Sequence, residues 1–113
     1  MQITKWNFDN FTQKEVKINV LEDSPNGKEI QILMSKDSIM VEHKAPFAIK
    51  VQVLKGRIKF ELSNQSFELE NFDMISLEAN VSHSLYAFED SIIRLSLDKN
   101  DTIARVSGVL KKP

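Results

Sequence analysis

Residues 49–62 read IKVQVLKGRIKFEL, and apolar and polar side chains alternate along this stretch on both sides of Gly56. A period of two is typical of a β-strand with one buried face, so the stretch predicts two strands, Ile49–Leu54 and Arg57–Leu62, separated by the glycine. The side chains that share the predicted inner face are Ile49, Val51, Val53, Ile58, Phe60 and Leu62.

Short strands separated by turn residues continue on both sides of this stretch. The further strand candidates are Glu15–Leu21, Gly27–Met34, Ile39–His43, Ser66–Leu69, Met74–Leu77, Ser84–Phe88 and Ile92–Leu97. Short strands at a spacing of about 8–12 residues are typical of an all-β sandwich or barrel. Because the chain has only 3 glycines, we expect Asn, Asp and Ser to occupy many of its turns.

The composition is that of one soluble globular domain over residues 1–113. Hydrophobic residues make up 42%, and 15 Lys+Arg against 16 Asp+Glu leave a net charge of -1, which favours neither nucleic acid nor an anionic membrane. The chain has no cysteine, which excludes disulfides, thiolate nucleophiles and Cys-ligated zinc. No apolar run is long enough to span a bilayer, and residues 1–6 lack the pattern of a signal peptide, so we expect a cytoplasmic protein.

Two stretches, from His43 to Gly56 and from Leu69 to His83, carry a recognisable pattern. The first has its histidine, Pro46, an alternating strand and a glycine; the second has Asp73, an apolar strand, a turn and a histidine. These residues resemble the two motifs of the cupin superfamily, and the resemblance covers about residues 28–98. It implies an all-β fold, an RmlC-like jelly-roll barrel or double-stranded β-helix of about eight to eleven strands, with a short irregular N-terminal arm and a C-terminal tail.

The resemblance also implies a ligand set that this chain lacks in part. Metal-binding cupins use two histidines and a glutamate of the first motif and the histidine of the second. His43 and His83 are present, but Ala45 and Ile49 stand at the two other positions. A tight transition-metal site needs three or four converging ligands, so we expect none here, and a divalent transition metal held weakly by His43 and His83 is the alternative.

Other nearby positions depart from the family pattern or fail to replace the missing ligands. Gln52 and Glu42 are out of phase with the inward residues, so neither is expected to complete a metal site. The glycine that the family places before its aspartate is Phe72 here, and the Pro-x-Gly turn of the second motif is Glu78-Ala79-Asn80.

The inward positions predict an apolar pocket with few polar groups. The candidates for binding a ligand are His43, Phe47, Ile49, Val51, Val53, Phe60, His83 and Tyr86. Such a pocket favours an apolar or aromatic molecule over strong acid–base chemistry, although a filled core explains the same stripe. His43 is equally explained as a strand-end residue bonded to a carbonyl group, and His83 is a candidate base or proton donor. Tyr86 and Phe88 share a face that lines either the pocket or a dimer contact.

We therefore predict a small-molecule-binding cupin without a tight metal site. The alternative is a metal-dependent cupin enzyme, of the oxygenase or isomerase type, that uses His43 and His83 as residual ligands. A structural or regulatory partner protein is a third reading. Similar small cupins are usually homodimers that exchange or add N-terminal strands, so the resemblance also implies a homodimer, which an exposed sheet edge would favour.

The two ends of the chain allow less specific predictions. Trp6, Phe8 and Phe11 are expected to cover an open end of the barrel or to form a subunit contact. Residues Thr102–Leu110 are expected to form one or two helical turns or an extended arm.

Overall fold

Nine β-strands and one short helix make up the described part of the chain, residues 1–6 and 10–110 of a computed structural model. The strands are β1 (Val16–Ser24), β2 (Gly27–Met34), β3 (Ile39–His43), β4 (Ile49–Lys55), β5 (Arg57–Glu61), β6 (Ser66–Glu70), β7 (Met74–Leu77), β8 (His83–Ala87) and β9 (Ser91–Leu97), and the helix is α1 (Ile103–Val109). Every predicted strand is present, and most of the predicted ends lie within one residue of the observed ones.

The strands form two antiparallel sheets that face each other. The first has the order β1-β2-β9-β4-β7, and the second has the order β3-β8-β5-β6. Strands distant in sequence are neighbours in both sheets: β9 lies between β2 and β4, and β8 lies between β3 and β5. This arrangement confirms the predicted all-β, double-stranded β-helix class.

The core fills the space between the sheets, as the alternation in β4 and β5 predicts. Ile49, Val51 and Val53 on β4 are buried, and Lys50 between them is exposed. Ile58 and Phe60 on β5, which belongs to the opposite sheet, are completely buried. The inner face of each sheet therefore supplies one half of a continuous apolar core.

Gly56 allows β4 to pass into β5 because its backbone has a positive φ of 104° and lies close to another loop. A Cβ atom at this position would lie 2.6 Å from the Asp90 carbonyl oxygen and would collide with Ser91 Oγ. Only glycine fits such a site without moving the backbone.

The two ends of the chain occupy different sides of the barrel. Thr4 and Trp6 line a shallow groove with Leu21 and Arg94, so Trp6 lies against the first sheet and does not cover the open end of the barrel; the alternative, a subunit contact, stays a prediction. Phe8 lies outside the described residues. Residues 103–109 form the predicted helical turns, and it is α1 that packs across one end of the barrel. No helix in the described ranges has the length and apolarity needed to cross a bilayer.

Candidate functional site

A small enclosed cavity lies inside the barrel, beneath α1. Its walls come from both sheets and from the helix: Ile32, Met40, His43, Ile49, Val51, His83, Leu85, Leu95, Arg105, Val106 and Val109. Eight of these eleven side chains are aliphatic or methionine, and three are polar. The cavity volume is about 20 Å³, which is room for about one water molecule.

His83, at the start of β8, is the most buried of the three polar groups. Its ring is stacked on Phe60, with 5.3 Å between the ring centroids and 8° between the planes. Its Nδ1–H donates to the Val81 carbonyl oxygen at 2.9 Å, so in the neutral ring Nε2 carries the lone pair. Burial, together with the positive charge of Arg105, lowers the pKa of His83 below its usual 6.5, although the hydrogen bond to Val81 opposes this shift. This shift favours the neutral form of the ring.

His43 lies beside His83, with 4.2 Å between the ring centroids and a T-shaped angle of 60°. Its Nδ1–H donates to the Val41 carbonyl oxygen at 2.6 Å, which is the backbone hydrogen bond expected for a structural histidine. Both imidazoles therefore have their tautomer set by a carbonyl group two residues earlier in the chain.

A β-bulge in β3 turns His43 towards the cavity. Met40 pairs with Leu85, and an unbroken register would bring Glu42 opposite His83. The register instead shifts by one residue between Met40 and His43, so His43 pairs with His83 and Glu42 is exposed. Because successive side chains of a strand alternate between faces, this single extra residue decides which side chain enters the barrel.

Arg105 is the third polar group of the cavity, and the sequence analysis did not identify it. Its Nε and Nη2 donate to the two carboxylate oxygens of Asp101 at 2.7 and 2.8 Å. Asp101 is buried, and the N-cap residue Thr102 accepts a hydrogen bond from the Arg105 backbone N–H. The spacing of Asp101, Thr102 and Arg105 is typical of a helix start with an i,i+4 ion pair, so the ion pair could have been predicted from the sequence. The position of Arg105 over the cavity could not.

The structure brings only some of the predicted pocket residues together. His43, Ile49, Val51 and His83 line the cavity. Val53 and Phe60 are fully buried in the core but do not line the cavity, so they pack behind the residues that do.

Phe47 and Tyr86 are not among the residues that line the cavity. Phe47 is half-buried in the connection between β3 and β4. Tyr86 alternates with the buried residues Leu85 and Ala87, so it is on the outer face of β8, where its Oη donates to Asp37 Oδ1 at 2.5 Å and its ring contacts Phe88. Their assignment to the pocket is therefore wrong, and for Tyr86 the reason is strand alternation.

The donor set does not fit the metal site that the cupin resemblance implies. Ile49 lines the cavity at the position of the glutamate ligand, and Ala45 is a buried core residue. Gln52 donates outward to the Phe72 carbonyl oxygen, and Glu42 is exposed, so neither replaces the missing ligands. Within residues 1–6 and 10–110, no cluster of three or more His, Cys, Asp or Glu side chains is placed to hold a metal ion.

Arg105 also keeps the carboxylate of Asp101 from serving as a metal ligand. Both carboxylate oxygens of Asp101 accept hydrogen bonds from the Arg105 guanidinium group. Two imidazoles and one ion-paired guanidinium group form a site suited to binding polar groups by hydrogen bonding.

Comparison with solved structures identifies the architecture. A conserved protein of unknown function from Streptococcus pyogenes is 19% identical over 80% of each chain, with a TM-score of 0.70. An RmlC-like cupin protein from Desulfovibrio desulfuricans is 12% identical, with a TM-score of 0.73 over 87% of this chain and 98% of the other. An RmlC-like cupin family protein from Methanocaldococcus jannaschii with a double-stranded β-helix fold is also 12% identical, with a TM-score of 0.73 over 87% of this chain and 90% of that one.

Comparisons of the sequence, in contrast to those of the structure, show no match. No family model matches the chain, and a search of curated proteins gives no match either. The likeness therefore rests on the arrangement of the strands, at identities too low to transfer a ligand or an activity. The two sheets, their strand order and these structural neighbours together establish that the chain has the RmlC-like double-stranded β-helix fold of the cupin superfamily.

Proposed function

We propose that this protein binds a small, mainly apolar molecule inside the barrel, without a tightly bound metal. The observation that carries the proposal is the cavity beneath α1, where His43, His83 and Arg105 are the polar groups among otherwise apolar walls. A few converging polar groups in an apolar cavity are typical of sites that orient a small ligand.

The cavity must enlarge to admit such a ligand. A volume of about 20 Å³ is far below the roughly 300–1,000 Å³ of ordinary ligand pockets. The rest of the wall consists of paired strands, whereas α1 is a single helix of 7 residues. We therefore place the entrance at α1, which acts as a lid over the barrel.

The packing of α1 is consistent with a lid. Its buried residues are Val106 and Val109, and each contributes about 1.5–3 kcal/mol when fully buried. A helix this short does not form stably by itself, so it depends on that packing. Moving α1 costs these contacts and those of the partly buried Ile103 and Leu110, which also pack against the core, while the sheets keep their hydrogen bonds.

The first test is a thermal unfolding screen of the full chain against small aromatic and aliphatic molecules. A ligand that binds only the folded state, at 100 times its dissociation constant, raises the unfolding free energy by about 2.7 kcal/mol, which should be visible as a clear rise in Tm. Amide NMR shifts should then change at α1 and around His83. A panel that leaves the Tm unchanged, with no shift changes at these residues, would contradict the proposal.

A pair of variants on β8 separates the cavity from the outer surface. His83→Phe places a larger apolar ring in the cavity, next to Phe60, and should abolish the ligand-induced rise in Tm. Tyr86→Phe removes only the hydroxyl group that bonds Asp37 on the outer face and should preserve it. Equal loss in both variants would place the binding site elsewhere.

Elemental analysis of the untagged protein tests the statement about metal. The donor set leads us to expect well below one transition-metal atom per chain after dialysis without chelator, and no retained metal after incubation with zinc or manganese. A content near one atom per chain that His83→Ala removes would favour the metal-dependent enzyme instead.

A further inference from the structure

We propose that the ligand is a short monocarboxylic acid, whose carboxyl group binds between Arg105 and His83 and whose apolar part lies along the barrel walls. This inference rests on the proposed binding function and adds the chemical class of the ligand. It depends on the geometry of the Asp101–Arg105 pair at the polar end of the cavity.

Asp101 occupies one edge of the Arg105 guanidinium group. A guanidinium has five N–H donors, and the carboxylate of Asp101 takes those on Nε and Nη2 along that edge. A second planar edge, formed by Nη1 and Nη2, is not used by Asp101. This edge matches the two oxygens of a carboxyl group, which arginine binds with two parallel hydrogen bonds.

Asp101 also holds the guanidinium in place before a ligand arrives. The side chain of Asp101 is only 1% exposed, and its Oδ1 accepts a further hydrogen bond from the Thr102 backbone N–H at 2.8 Å. A donor fixed in this way loses little conformational freedom on binding, which favours a specific polar contact.

The charge balance favours a group with at most one negative charge. Asp101 and Arg105 neutralise each other, so a dianion such as phosphate would bring two uncompensated charges into a buried site, at a large desolvation cost. A carboxylic acid can instead enter with its proton, which lies between the ligand oxygen and Nε2 of the neutral His83.

The surroundings of His83 agree with this placement of the proton. The charged or titratable groups of the described cavity wall are His43 on β3 and Arg105 on α1, with Asp101 behind the arginine. The β5 contact to His83 is the uncharged ring of Phe60. The carboxylate of Asp101 pairs with Arg105, so the imidazole of His83 is left to accept the acid proton of the proposed ligand.

The remaining walls determine the other half of the ligand. Ile32, Ile49, Val51, Leu85 and Leu95 have no hydrogen-bonding side-chain atoms, so a tail with hydroxyl groups would lose its contacts with water without replacement. A short alkyl or phenyl tail satisfies this requirement, and a sugar acid does not.

Isothermal titration of the full chain with matched compounds tests the inference. The probes are 3-methylbutanoate against 3-methylbutanamide and benzoate against benzamide, which share a shape and differ in the carboxyl group. We expect each acid to bind at least tenfold more tightly than its amide, and gluconate not to bind.

Variants of Arg105 locate the preference. Because Arg105→Gln leaves a buried carboxylate without its partner and is expected to destabilise the fold, the informative variant is the double change Asp101→Asn with Arg105→Gln, which keeps the pair neutral. It should lose the acid-over-amide preference. Arg94→Gln is the matched control, because Arg94 pairs with Glu29 outside the cavity, and it should keep the preference.

The outcomes distinguish the two proposals. Equal binding of acids and amides, or an unchanged preference in the double variant, would overturn the carboxyl assignment and leave the binding function intact. If neither the acids nor the amides bind, the carboxyl assignment is also overturned. If the wider screen also found no ligand, the binding function itself would fall.

Discussion

At the scale of single residues, two positions have the positive φ angle that favours glycine, although neither residue is a glycine. Phe72 has a φ of 73°, and Asn80 has a φ of 67°. These are the positions where the cupin motifs have glycine, in the Gly-Asp pair and in the Pro-x-Gly turn. Asn tolerates the left-handed region by local hydrogen bonding, but a phenylalanine there is strained. The expectation that Asn and Asp replace glycine in turns is confirmed at Asn80 and at Asp37, whose φ is 68°.

The strain at Phe72 predicts that a glycine at this position gives a more stable fold than an alanine. Phe72→Gly should be more stable to urea unfolding than Phe72→Ala by about 1 kcal/mol, because both remove the ring and only glycine adopts a positive φ without cost. The hydrogen bonds of this residue use its backbone N–H and carbonyl group, so both variants preserve them. An alanine variant as stable as the glycine variant would show that the positive φ costs nothing here.

At the scale of secondary-structure elements, two features create the site. The bulge in β3 brings His43 opposite His83, and α1 brings Arg105 over the end of the barrel. The strands around them are regular and could be read from the sequence almost residue by residue. The candidate site therefore depends on the two irregular elements of an otherwise regular fold.

Opening of α1 predicts a defined pattern of hydrogen exchange. Amides in the last turn of α1 should exchange through an opening with a lower free energy than the amides of β9, which is paired on both sides. Gly108→Ala should slow α1 exchange about two- to fivefold, because a Cβ at Gly108 has no atom within 4 Å and alanine favours a helix by about 0.5–1 kcal/mol.

The reverse change in the same helix is the control for this prediction. Ala104 is exposed, so Ala104→Gly should speed the exchange of the α1 amides without altering a buried contact. If the α1 amides exchange only as fast as those of β9, the helix opens with the whole barrel and is not a lid.

At the scale of the whole molecule, the stability of the barrel depends on a neutral histidine. His83 has a pKa below 6.5 in the folded protein because burial disfavours its charged form. The unfolded chain therefore binds this proton more readily, and the stability contributed by neutral His83 is present above pH 6.5 and is lost as the pH falls.

Urea unfolding of the wild type and of His83→Gln at pH 7.5 and 5.5 measures this dependence. The wild type should lose more stability over this interval than the variant, because the variant keeps every other titrating group. A variant with an equal loss would mean that other groups dominate the pH dependence.

The assembly of the molecule stays a prediction. The homodimer implied by the cupin resemblance would use N-terminal strands, and β1 is an edge strand of the first sheet, with Val20 about half exposed. An unpaired edge is a template for a further strand, which is the physical basis of that expectation.

Most of the fold was predictable from the sequence because its signals are local. Alternation in β4 and β5 and the turn residues between strands act within a few residues, and a strand shows its buried face with a period of two. The pairing of His43 with His83 was anticipated only through the cupin resemblance, since the alternation of β3 by itself places His43 on the same face as the exposed Ile39.

The sequence by itself determined the strands, their buried faces and the absence of two metal ligands, which follow directly from residue identity and spacing. Only the tertiary structure decided that a bulge turns His43 inward, that α1 carries Arg105 over the cavity and that the remaining space is about 20 Å³. Bulges, helix docking and cavity volume depend on how side chains far apart in sequence pack together, and no local pattern encodes that packing.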